Sequence, residues 1–174
     1  TSADLAAQAG LVEVWNLADA TSLSGSHDGV VAGNVSFEAD AIPSLFGENY
    51  CAGGLNSAGQ RARIDFSGST SVAHGDLMLE VADAPSFTQG MFLAGPMQVS
   101  VPAGGGSLCV GGGLVMLPPV LTDRFGVATQ AIDLSQLPAG LITSGMVLNF
   151  QFFFRDLSRG EVNFSNALAL EFCP

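Results

Sequence analysis

The stretch Val147–Asp156 reads VLNFQFFFRD, and in it Phe150, Phe152 and Phe154 recur at every second position. In an extended chain that period puts all three rings on one face, and a face so apolar has to be buried. Asn149, Gln151 and Arg155 fall on the other side, where Phe153 interrupts them. Two arrangements meet this pattern: a central strand covered on its second face by another sheet, or a strand that shows one aromatic to a partner.

The same alternation recurs outward from it. Residues 62–66 (ARIDF) put Ala62, Ile64 and Phe66 inward, and residues 76–83 (DLMLEVAD) do so with Leu77, Leu79 and Val81; a Ser/Gly turn at 67–75 joins the two as neighbours. Leu168, Leu170 and Phe172 share a face near the C-terminus, and Met97, Val99 and Val101 share another. Phe87 and residues 91–93 make a further apolar piece, divided by Gly90. Residues 103–113 (AGGGSLCVGGG) hold six glycines, which predict tight turns or close chain approach and not a phosphate cradle. Residues 125–134 alternate without revealing which face is inward, and Pro118 and Pro119 stop the strand before them.

Toward the N-terminus, Ser2 can cap an Ala-rich turn ended by Gly10, residues 11–17 (LVEVWNL) read as a strand, and Val35 and Phe37 share a face in another. Residues 41–50, with Pro43, Gly47 and Asn49, read as a connection. Eight to ten short strands and no long amphipathic helix predict an all-β chain: an antiparallel β-sandwich, jelly-roll-like, with a short N-terminal helix or arm. The 174 residues fit a single domain, 1–174, with N-terminal strands or an arm in 1–48.

Charge excludes several partners. Five arginines and no lysine stand against 16 acidic residues, a formal net charge of −11, which repels nucleic acid and anionic lipid alike. No apolar run reaches the roughly 20 residues of a membrane span. Charged residues are only 12% of the chain, so part of the surface is expected to be hidden against other copies or surface proteins. A first residue of Thr1 fits a chain freed of a signal peptide, and hence a secreted or cell-surface location. Cys51, Cys109 and Cys173 match no zinc spacing; they provide one disulfide and one further thiol, in a pairing their spacing leaves open.

From Asn49 onward the chain resembles a β-rich domain of uncharacterised secreted proteins of planctomycetes and other environmental bacteria. The residues that carry the likeness are NYC at 49–51, NSAGQ at 56–60, DLML at 76–79, GGSLCVGG at 105–112, DLSQLP at 133–138, FQFFFRD at 150–156 and NFSNALALEF at 163–172. They span about residues 49–172. The resemblance implies an accessory region of an exported protein, without assigned activity, and a disulfide between Cys51 and Cys109. That bridge would close a long loop, worth about 3 to 4 kcal/mol. Where this chain has Phe153 or Phe154, related sequences offer Trp or Tyr.

His74 and Asp76 offer a base and an orienting carboxylate, with Ser69 and Ser71 on the same loop, and His27 stands beside Asp28. Ser and His in turns are ordinarily exposed hydrogen bonders, and no GxSxG or HExxH accompanies them. Asp19, Asp28, Glu38 and Asp40, with Glu48, are candidates for a calcium site, and Asp123, Asp133, Asp156 and Glu161 form a second group. Trp15, Tyr50 and Phe153 are candidate glycan contacts, since flat exposed rings stack on sugars. Asn34 and Asn163 match the N-glycan acceptor pattern, a weak signal in a bacterium-like chain. The expected function is a non-catalytic extracellular structural subunit or module, associating through β-strand edges, with the 11–17 or 164–172 strand completing a neighbour's sheet. The alternative is a carbohydrate-binding accessory module supported by calcium.

Overall fold

The computed structural model describes residues 47–134, 137 and 145–173, all within the unit Ser44–Pro174. The expected N-terminal helix and strands, with Trp15, Asp19, His27, Asp28, Asn34, Glu38 and Asp40, lie outside the described residues. The described part is all-β, and its strand ladders are antiparallel.

In chain order the strands are β1 (Gly47–Tyr50), β2 (Arg63–Ser67), β3 (Met78–Ala82), β4 (Gln89–Gly95), β5 (Met97–Ala103), β6 (Gly106–Gly111), β7 (Val115–Met116), β8 (Val120–Leu121), β9 (Ala128–Ala131), β10 (Val147–Asp156) and β11 (Glu161–Glu171). One sheet runs β1-β11-β10-β4-β7, with β8 also on β4; a second runs β2-β3-β9; β5 and β6 form a separate hairpin. Residues 47–50, expected as a connection, are thus an edge strand. Their pairing with Ala167–Leu170 overrides the weak strand propensity of Gly47 and Asn49.

The aromatic strand β10 occupies the middle of the large sheet. Phe150, Phe152 and Phe154 are fully buried, with Phe152 4.9 Å from the Phe92 ring centroid and 6.0 Å from that of Phe154. Gly90 on β4 makes room for them: a Cβ there would lie 2.3 Å from the Phe152 ring. The same core takes in Leu148, Leu168, Leu170 and Phe172 from this sheet and Ile64, Leu79, Val81 and Ala128 from the second, so the two sheets share one apolar interior. Ala128 and Ile132 settle the face that the alternation of 125–134 leaves open.

The opposite face of β10 is buried as well. Asn149 and Gln151 are inaccessible, and the β5–β6 hairpin lies over Gln151. Gln151 accepts the Cys109 N–H at 2.9 Å and donates to the carbonyls of Ser107 at 2.9 Å and Ser165 at 2.8 Å. A disulfide between Cys51 and Cys109, 6.4 Å apart at Cα, fastens the hairpin to the segment after β1, while Cys173 is a free thiol.

A bulge sets Ser165 and Asn166 opposite the single residue Phe152. Asn166 then reaches the second sheet: its Oδ1 accepts the Ile64 N–H at 2.8 Å, and its own N–H donates to the Ala62 carbonyl at 3.3 Å. On the other flank Gln130 Nε2 donates to the Pro118 carbonyl at 3.2 Å. The strand at 164–172 is therefore interior. It has β10 on one side and β1, Gly54 and Ala62 on the other, which corrects the expectation that it completes a neighbour's sheet.

Candidate functional site

The turn after β2 brings Ser69, His74 and Asp76 together, though not as a triad. Ser69 Oγ lies 3.4 Å from His74 Nδ1, but Asp76 Oδ1 accepts the Ser69 backbone N–H at 3.0 Å instead of addressing the ring. Ser69 Oγ also accepts the Ser71 N–H at 3.0 Å. His74 and Asp76 are exposed, and the hydrogen bonds close the turn on itself.

Three carboxylates of the second acidic group, Asp123, Asp156 and Glu161, have separate partners. Asp123 Oδ1 accepts the N–H groups of Phe125 at 2.8 Å and Val127 at 3.0 Å; buried Asp156 accepts the Ser57 N–H at 2.6 Å; Glu161 pairs with Arg159 at 2.9 Å. Among the described residues no group of three or more His, Cys, Asp or Glu converges on one point. Asn163 is buried and donates to the Leu55 carbonyl at 3.0 Å, so its acceptor pattern is closed to modification in the folded chain.

Two of the candidate glycan contacts serve the interior. Tyr50 is half-buried, donates its hydroxyl to the Cys109 carbonyl at 3.0 Å, and has its pKa pushed up to about 12 by burial. Phe153 is half-buried, its ring 5.4 Å from that of Phe164. Neither is a free flat ring.

One exposed strand is uncharged and shows apolar side chains. β5 pairs with β6 along one side, contains no charged residue, and leaves Met97 56% and Val101 51% exposed. Met97 lies against Gly112, where the chain turns from β6 toward β7, and beyond that turn Leu114 is exposed and Met116 is 70% exposed. The alternation of Met97, Val99 and Val101 marks a strand but carries no sign of which layer, if any, covers it. A bulge between Gln98 and Val101, and Pro102 after it, keep β5 from offering a long regular edge.

Phe87, expected in an apolar piece with residues 91–93, and Phe125, expected to open the alternating stretch 125–134, are instead exposed rings on the turns ahead of β4 and β9. Each is a single aromatic among turn formers, in DAPSFTQG and in TDRFGV. That isolation is the signal that could have found them. No family model, no curated protein and no solved structure matches the chain.

Proposed function

We propose that this chain is a non-catalytic structural module of an exported bacterial protein, an antiparallel β-sandwich of jelly-roll kind that works by associating with further copies through its edge strands. The observation that carries the reading is β5. It is an uncharged strand that, among the described residues, pairs on one side only and shows two large apolar side chains to water, on a chain of net charge −11. Between copies so acidic, repulsion is least where no charge stands, and burying Met97, Val101, Leu114 and Met116 supplies the attraction. The bulge and Pro102 make the contact one of side chains more than of a continued ladder. The resemblance to secreted planctomycete domains and the Cys51–Cys109 bridge agree with an extracellular setting.

Light scattering on the chain without reductant tests this. Species larger than the 17.8 kDa monomer are expected, growing with concentration and lost in a Val101→Lys, Met116→Lys variant. A monomer that persists over a wide concentration range would remove the reading.

A further inference from the structure

The loops at 83–88 and 122–127 are joined more tightly than their exposure requires. Thr122 is buried; its Oγ1 accepts the Thr88 N–H at 2.8 Å and donates to the Pro85 carbonyl at 2.7 Å. The Phe87 N–H donates to the Asp123 carbonyl at 3.3 Å, Ser86 Oγ to the Arg124 carbonyl at 3.1 Å, and the Ala84 N–H to the Gly126 carbonyl at 3.2 Å. Gly126 has φ +75°, and a Cβ on it would stand 1.9 Å from the Ala84 carbonyl oxygen, so the approach admits glycine alone.

On this rigid frame two rings point into water. Phe87 is 67% exposed and Phe125 68%. Phe87 also has φ +52°, a conformation that bulky L residues rarely adopt. A residue that gains little burial and bears an unfavourable backbone does nothing for folding that glycine would not do better. Such a residue points to a ligand.

The chemistry narrows the ligand. The N–H groups of Phe87, Thr88, Phe125, Gly126 and Val127 all have partners within the loop pair, which leaves no row of backbone donors for an added peptide strand. Side chains therefore make the contact: two flat rings, and Arg124, whose guanidinium lies 4.5 Å from the centroid of Phe125. Among the described residues no carboxylate pairs with Arg124. Rings for the apolar face of a pyranose, beside a fork of N–H donors for its hydroxyls, are a sugar-binding set. The charge of −11 disfavours polyuronates and anionic membranes and favours an uncharged polymer.

We infer that Phe87, Phe125 and Arg124 form a binding site for a neutral polysaccharide, separate from the association surface on β5. Affinity electrophoresis of the full chain through gels containing hydroxyethylcellulose, galactomannan or alginate tests it, with flotation on phosphatidylcholine vesicles alongside. Retardation by at least one neutral polymer is expected, weakened at least tenfold in Phe87→Gly, which the backbone accepts, and in Phe125→Ser, with neither variant lowered in melting temperature and both unchanged in light scattering. The inference is overturned by free passage through both neutral gels, by retardation in alginate alone, by co-flotation with vesicles, by full retention in either variant, or by variants that change self-association and not retardation.

Discussion

Replacing Gln151 by Leu tests how the outer layer is held on. The two side chains are similar in volume, so the change removes polar contacts with little cavity. It strands the Cys109 N–H and deprives the carbonyls of Ser107 and Ser165 of a donor, in a place where Gln151 itself has no exposure. Each buried group left unsatisfied costs about 1 to 3 kcal/mol, and the added apolar surface returns roughly 1 kcal/mol, so for the three groups a net loss of about 2 to 8 kcal/mol is expected. Set against a typical total of about 5 to 15 kcal/mol, that is a large share. Urea unfolding of the oxidised protein reads the loss, and hydrogen exchange at the Cys109 amide reports where it arises. Asn149→Leu is the control on the same face. Asn149 makes one 3.2 Å bond, to the Gly95 carbonyl, and its Oδ1 has no partner among the described residues, so its replacement should change stability by no more than about 1 kcal/mol. A Gln151→Leu protein within about 1 kcal/mol of the parent, with the Cys109 amide still protected, would refute the idea that this amide bolts the hairpin to the sheet.

Removal of the disulfide by Cys51→Ser with Cys109→Ala opens a loop of 58 residues, for which the chain-entropy relation gives a loss of about 4 kcal/mol; urea midpoints measure it, and a loss under about 1 kcal/mol would contradict it. Tyr50, the one tyrosine, can be titrated by its phenolate absorbance, with a midpoint near 12 expected in the folded chain against about 10 in urea. Because the folded value is the higher, the stabilisation is complete below about pH 10 and falls as pH rises toward 12, since the unfolded chain ionises first. A folded midpoint near 10 would show that the Tyr50 ring is in water.

The inner half of this structure was legible because burial on one face imposes a period on sequence. Ile64, Leu79, Val81, Phe150, Phe152, Phe154, Leu168 and Leu170 all keep step with that period and all meet in the shared core. The outer half was not, for two physical reasons. Gln151 is buried for its hydrogen bonds, and a buried amide looks in sequence like an exposed one. Met97 and Val101 are exposed although they alternate, because alternation records strand geometry and not the presence of a covering layer. The bulge at Ser165 and Asn166 also shifts the inward face of β11 within one strand, so Phe164 lies on the side away from Leu168. Phe87 and Phe125 lie on turns ahead of β4 and β9, and only the hydrogen bonds between their loops show them to be displayed on one frame.

The hairpin explains why an amide stands at 151. β6 lies across the large sheet and does not extend it, so the Cys109 N–H and Ser107 carbonyl that face the sheet have no ladder partner there. Buried backbone groups need one. A carboxylate could only accept, and Lys or Arg could only donate; Gln does both, on a stem long enough to span the layers. Ala167, opposite Gln151, and Ala169, opposite Asn149, leave room for the hairpin to approach. Three polar side chains thus hold neighbouring parts together: Gln151 the hairpin, Asn166 the second sheet, Thr122 the joined loops. The large apolar groups that these contacts leave exposed include Met97 and Val101 on β5 and the rings of Phe87 and Phe125.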